Sequence, residues 1–124
     1  MLKREELTDE ILSSAIGVHR HLGPGLLESA YEECLCREFT IRGIKFERLK
    51  ELPIVYKGKA VDTTYRVDII VEGEVVLELK SVESLIPIHQ SQLLTYMKLS
   101  GIGIGLLLNF NTVMLKDGIK RVVL

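Results

Sequence analysis

Six residues in the middle of the chain, Val75-Val76-Leu77-Glu78-Leu79-Lys80, constrain the fold more than any other stretch. A run this apolar, bounded upstream by Glu72-Gly73-Glu74, is expected of a central strand buried on both faces, which needs a layer above it and a layer below. Two charged residues interrupt it. Alternate residues of a strand share a face, so Glu78 and Lys80 point one way and Leu79 points into the opposite layer. An unpaired buried carboxylate is costly, so Glu78 needs a partner or a cation.

The rest of the chain supplies those layers. Thr8 is expected to cap a first helix, in which Ile11, Leu12, Ala15, Ile16, His19 and Leu22 recur at helical spacing until Gly23-Pro24-Gly25 stops it. A second helix presents Leu27, Ala30, Tyr31, Cys34, Leu35 and Phe39 on one face and ends at Gly43. From Ile44 the period changes to strands at Phe46–Leu52, Ile54–Tyr56, Ala60–Ile70 and Val75–Leu79, with hairpin turns at Lys57-Gly58-Lys59 and Glu72-Gly73-Glu74. Pro87 opens a third helix that Gly101 ends, packed through Leu93, Leu94, Tyr96 and Met97. Ile104–Asn109 reads as a second buried strand, and Val113–Leu115 with Ile119–Val123 as a closing hairpin. No linker or repeat divides residues 1–124, so a single α/β domain is expected, with a central mixed sheet flanked by helices.

Charge and cysteine usage bound the function. The net charge is −1, from 16 basic and 17 acidic residues. Wide, sequence-independent contact with phosphates usually demands a basic surface, so any nucleic-acid contact must be local, within a groove, or shared between subunits. Cys34 and Cys36 are two apart on a helix and do not face each other. Free thiols behind a charged start, MLKREELTDE, point to a cytoplasmic protein, and the apolar run Ile102–Leu108 is too short for a membrane span.

Asp68 interrupts a second apolar strand, Tyr65–Val71. If the two strands pair through the Glu72-Gly73-Glu74 turn, Asp68 and Glu78 become cross-strand neighbours whose repulsion a divalent cation relieves, and hard oxygen ligands suit Mg²⁺ or Mn²⁺. The Leu79 carbonyl could complete the metal shell, and Lys80 could stabilise hydroxide for attack on a phosphodiester. From these residues alone, a cross-strand salt bridge at a sheet edge is the more ordinary explanation, since such spacings are common by accident. Glu28 stands in the first turn of the second helix, where an acid also complements the helix dipole. Gln92 and Tyr96 are four apart on one helix face, suited to orienting water, a phosphate oxygen or a base, or simply a polar pair. His19 falls on an apolar helix face, where a hydrogen-bonded structural histidine is the ordinary outcome and a metal ligand the alternative. His89 is expected at the surface or facing phosphate, and the cysteines are expected to pack without ligating.

Taken together, these segments resemble a known family. Gly25, Glu28 and Tyr31 match the GxxExxY proteins of the PD-(D/E)xK nuclease superfamily. So do the stretches His19–Tyr31, Arg66-Val67-Asp68, Val76–Lys80, Gln92–Tyr96 and Gly105–Phe110, in the same order and over nearly the whole chain. The resemblance implies a restriction-endonuclease-like αβββαβ core. It assigns Glu28 as the acid of the first core helix, expected to bind a second metal ion or a bridging water, Asp68 as the metal-binding aspartate, Glu78 and Lys80 as the ExK pair, and Gln92 and Tyr96 as a QxxxY element.

The expected activity is Mg²⁺- or Mn²⁺-dependent hydrolysis of phosphodiester bonds in nucleic acid, with DNA favoured over RNA. Lysines and arginine at Lys45, Arg48, Lys50, Lys57 and Lys59 could track a backbone. Two rivals remain from other classes. One is a non-catalytic module that binds nucleic acid or protein, and the other a structural domain whose acids form salt bridges. Exposed strand edges and the apolar end Arg121–Leu124 would suit a homodimer.

Overall fold

The computed structural model describes residues 4–124. Two helices come first, α1 (Arg4–Leu22) and α2 (Glu28–Arg42), then strands β1 (Phe46–Tyr56), β2 (Lys59–Val71) and β3 (Val75–Lys80). Helix α3 (Pro87–Ser100), strand β4 (Ile104–Asn109), a 3-10 turn at Leu115–Gly118 and strand β5 (Ile119–Val123) complete the chain. Among the described residues the strands form a five-stranded sheet in sequence order, with β3 and β4 parallel and every other pair antiparallel. The order α2-β1-β2-β3-α3-β4 is the αβββαβ arrangement, in a mixed sheet covered by helices, consistent with the restriction-endonuclease-like fold.

Alternation along β3 creates two cores. Val75, Leu77 and Leu79 join Ile69 and Val71 of β2 under α1 and α2, where Leu7, Ile11, Ala15, Tyr31, Leu35 and Phe39 meet them. Val76 faces the other way, into a smaller core with Leu93 and Met97 of α3 and Leu107 of β4. Each fully buried Leu or Val contributes roughly 1.5–3 kcal/mol, so β3 is held from both sides. Gly105 lets α3 approach β4, since a Cβ there would lie 2.5 Å from the Met97 sulfur and 2.9 Å from Leu93 Cδ1.

Several expectations are corrected. Thr8 does not cap α1; it lies a turn inside the helix and its hydroxyl donates to the Arg4 carbonyl at 2.9 Å. Leu27 is the residue before α2 and is exposed, not part of its apolar face. The two short strands expected around Pro53 are one strand, β1, with an irregularity between Pro53 and Val55. β1 is an edge strand, where proline's missing N–H is tolerated. The expected closing hairpin is absent: Leu115 starts the 3-10 turn, and β5 pairs with β4 instead. The buried strand β4 thereby gains a second neighbour for its backbone groups.

One distortion falls beside the chemistry. β1 and β2 pair at Arg48↔Ile69 and again at Lys50↔Val67, but Leu49 and Asp68 between them do not, and Leu49 adopts φ 53°. Left-handed backbone is strained for a bulky side chain. The pleat slips at this point, so Val67 and Ile70 both lie in the core beneath α3 while Ile69 lies beneath α1 and α2.

Candidate metal centre

Asp68 and Glu78 come together because the β2–β3 ladder ends where it does. The paired residues Val71↔Val75, Ile70↔Val76 and Ile69↔Leu77 carry a register that sets Asp68 level with Glu78, one step past the last pair. In place of a further backbone bond, Asp68 Oδ2 accepts the Leu79 N–H at 2.8 Å. The Leu79 carbonyl is directed to the same side, because the N–H and C=O of a strand residue point to one neighbour.

Glu78 is the unusual member. It is 6% exposed, and its Oε1 is buried with no hydrogen-bond partner among the described residues. Burial pushes its carboxyl up to about 9; the adjacent Asp68 carboxylate adds to the rise, while Lys80 opposes it. Lys80, on the same face, is half-buried at the end of β3. Tyr96 reaches this group from α3: burial raises its phenol, and Glu78, Asp68 and Tyr65 raise it further. The Tyr65 and Tyr96 rings lie 6.2 Å apart. Asp68, Glu78, Lys80 and Tyr96 thus form one cluster of interacting charges and dipoles.

Glu28 and Gln92 stand outside it. Glu28 is exposed as the first residue of α2, its side chain without a hydrogen bond or ion pair among the described residues, and Gln92 is exposed one turn ahead of Tyr96. Among the described residues no three His, Cys, Asp or Glu side chains converge as a metal cluster. The Glu28 loop is nonetheless fixed to the end of β3, because the Ser81 hydroxyl donates to the Leu26 carbonyl at 2.7 Å. A cleft of about 450 Å³ lined by Ile86, Gln90, Leu94, Leu107 and Lys120 runs along α3 without including either carboxylate.

Would a divalent cation fit? Two hard carboxylates meet here, one with a buried oxygen lacking any partner and a strong tendency to hold a proton. A cation in that place would supply the missing partner and remove the repulsion, so the donor set fits Mg²⁺ or Mn²⁺.

Other singled-out residues have structural partners. His19 Nε2–H donates to the Thr112 carbonyl at 2.8 Å. His89 Nδ1 accepts the Ile86 N–H at 3.1 Å at the start of α3. Burial pushes the Cys36 thiol up to about 11, against the pull of Arg48, which suits an inert packed cysteine. Arg48 pairs with Glu32 and Lys50 with Glu47, each at 2.8 Å.

Two further residues support the segments around the cluster, one of them the tyrosine of the Gly25-Glu28-Tyr31 motif. The Tyr31 hydroxyl donates to the Gly23 carbonyl at 2.6 Å and accepts the Leu26 N–H at 3.1 Å, closing the bend that delivers Glu28. Gly25 turns that bend with φ 95°. Asn109, ending β4 and 2% exposed, receives the Val82 N–H at 3.1 Å and donates to the Val82 carbonyl at 3.0 Å. It thereby holds the chain just after Lys80. A polar residue closing an all-apolar strand was the one available signal for it.

No curated protein and no solved structure matches the chain. The family model of the PD-(D/E)XK nuclease superfamily matches residues 5–122, a span that contains both cores and every residue of the carboxylate cluster. Members of that superfamily generally use divalent metal ions. With the model covering nearly all of its length, the chain belongs to the PD-(D/E)XK nuclease superfamily.

Proposed function

We propose that the chain is a Mg²⁺- or Mn²⁺-dependent nuclease that hydrolyses phosphodiester bonds, in DNA rather than RNA. The observation that carries this reading is the buried, unpartnered Glu78 Oε1 beside Asp68. Neither Asp68 nor Glu78 forms a salt bridge among the described residues, and a purely structural fold would be more stable with an apolar residue at Glu78.

Asp68, Glu78 and the Leu79 carbonyl would hold the cation. When bound, the ion supplies a Lewis acid for the phosphoryl oxygens and for water. The residues divide the remaining work. Lys80 places a fixed positive charge beside the attacked phosphate and orients the attacking water. Tyr96 positions the strand, with Gln92 one turn away on the same helix. Glu28 stands at the rim on the loop tied by Ser81 and acts through a bridging water. Water adds across the P–O bond to leave a phosphomonoester and a free hydroxyl.

The test needs no knowledge of the natural substrate. Mn²⁺ titrated calorimetrically into the chain should bind saturably, and a folded Asp68→Asn/Glu78→Gln variant should not bind. Cleavage of single- and double-stranded DNA should then follow in the parent and be lost in Lys80→Ala. A parent that binds no metal and cleaves nothing would leave the non-catalytic binding module as the better account.

A further inference from the structure

β1 and β2 outrun the strand they flank. The register that pairs Ile69 with Leu77 brings Arg66 level with Lys80, the last residue of β3. Leu52–Tyr65 therefore continues as a two-stranded arm past the end of the sheet where Glu78 and Lys80 stand. From Tyr65 to Lys59 it extends roughly 20 Å, turning at Lys57-Gly58 with positive φ at both residues, the hairpin turn that matches strand twist. Little of it is buried, and Tyr56 is 65% exposed and Tyr65 45%. Such a ribbon adds little to the core, and its aromatics stay largely open to solvent.

The two faces of the arm differ. With Tyr56 opposite Lys59 and Leu52 opposite Tyr65, alternation puts Tyr56, Lys59, Val61, Thr63 and Tyr65 on one face. That face continues through Leu52 and Val67 into the core beneath α3, the side on which Glu78 stands, and Tyr65 meets Tyr96 there. Ala60, Asp62, Thr64 and Arg66 occupy the other face, with Glu51 opposite Arg66. Both acids of the stretch Glu51–Arg66 thus point away from the site, while the site-side face carries a lysine and two tyrosines. At the tip, the Lys57 ammonium lies 5.4 Å from the centre of the Tyr56 ring.

We propose that the site-side face of this arm is a guide for single-stranded nucleic acid, with Lys57 and Lys59 on its phosphates and Tyr56 and Tyr65 under its bases. The proposal rests on the nuclease reading above and names the form of substrate that reaches the site. Unpaired bases expose the faces that tyrosines stack on, whereas a duplex hides them. A narrow basic strip also reconciles phosphate contact with a chain whose net charge is −1. Tyr65 against Tyr96 makes the strip continuous with the carboxylate cluster.

The test is fluorescence anisotropy with labelled oligothymidine and the full chain in EDTA, so that no cleavage intervenes. Tyr56→Ala/Lys59→Ala should weaken binding by about tenfold or more and flatten the salt dependence by about one phosphate. Lys57→Ala/Lys59→Ala should flatten it further. Asp62→Asn, on the opposite face, should leave affinity unchanged or slightly raised. All four substituted positions are exposed, and matched melting temperatures of the three variants confirm that the fold is kept. Equal affinity in parent and arm variants, tighter binding of a duplex than of a single strand, or no binding at all would overturn the guide. So would a dimer that dissociates on Tyr56→Ala/Lys59→Ala, which would assign the face to a second copy. The Mn²⁺ titration contains no nucleic acid, so a metal-binding chain with an inert arm would sink the guide and spare the nuclease.

Discussion

The Asp68 carboxylate accepts the Leu79 backbone N–H at 2.8 Å, so the same side chain that faces Glu78 also replaces a rung of the β2–β3 ladder. This gives Asp68 two separable jobs, a neutral one and a charged one. Asparagine keeps the acceptor and the shape and loses the charge, whereas alanine loses all three. Asp68→Asn should therefore unfold within about 1 kcal/mol of the parent, and Asp68→Ala about 1–3 kcal/mol below it, because the Leu79 amide is left unsatisfied. Both should lose Mn²⁺ binding. Urea titration beside calorimetry separates the two, and equal stability of the two variants would remove the structural job.

Glu78 makes the metal-free protein sensitive to alkali. Its carboxyl holds a proton to about pH 9 in the fold but ordinarily releases it near 4.5. A raised carboxyl stabilises the folded state fully below the ordinary value, and that stabilisation is lost as pH rises towards about 9. In EDTA, stability should fall by a few kcal/mol between pH 5 and 9. Glu78→Gln, neutral throughout, should show a much flatter profile and be the more stable protein at pH 8. Urea melts at stepped pH check this, and parallel decline in both proteins would assign the effect to another group.

The proton on Glu78 must leave when a cation arrives. Mn²⁺ binding at pH 7 should release about one proton, and its apparent affinity should rise about tenfold per pH unit over the range below 9. Calorimetry in two buffers of different ionisation enthalpy measures the release directly. Binding without proton release would place the cation away from Glu78.

What was legible in the sequence followed local rules. The Val75–Lys80 alternation correctly separated Leu79 from Glu78, and Gly43 and Gly101 mark helix ends at φ 73° and 71°. Pro87 to Ser100 and Ile104 to Asn109 coincide with α3 and β4. Most of the errors were non-local. Pro53 looked like a strand break because nothing nearby reveals that β1 lies at a sheet edge. Thr8 looked like a cap because its hydroxyl suits one, yet the same hydroxyl can bond back to the preceding turn. Ile119–Val123 has strand character, but only the needs of buried β4 choose its partner. In the site, acids interrupting apolar strands singled out Asp68 and Glu78. Neither spacing nor composition could show that Glu28 is left exposed outside the cluster, on the helix that follows the bend tied to Ser81.

That bend can be tested through Tyr31. Its ring stacks on Phe110 with centroids 4.5 Å apart, so Tyr31→Phe keeps the packing and removes only the hydroxyl. Loss of its bonds to Gly23 and Leu26 should cost about 1–2 kcal/mol. If the bend positions Glu28, cleavage should fall by more than this destabilisation explains, in kcat with Mn²⁺ affinity preserved. A kcat equal to the parent's at a temperature where both are folded would limit Tyr31 to stability.

Asn109 offers the corresponding test on the other side of Lys80. Its amide both accepts from and donates to Val82, and its oxygen also receives the Asn111 N–H at 3.2 Å. Three backbone groups thus bond to one buried side chain, and only the Val82 carbonyl has a second donor among the described residues, the Asn111 Nδ2 at 3.4 Å. Asn109→Ala leaves the Val82 and Asn111 N–H groups without this acceptor and should cost about 2–4 kcal/mol, more than an ordinary surface change. Asn109→Asp keeps both acceptor bonds but cannot donate, and it adds a charge in a dry place, so it should rescue little at pH 7 and more at pH 4. The clamp also predicts where the damage appears: the Val82 amide should exchange with solvent faster in Asn109→Ala by more than the global loss of stability accounts for. Hydrogen exchange resolved by residue reads this, and uniform acceleration across the sheet would mean that Asn109 supports the whole fold rather than the segment that follows Lys80.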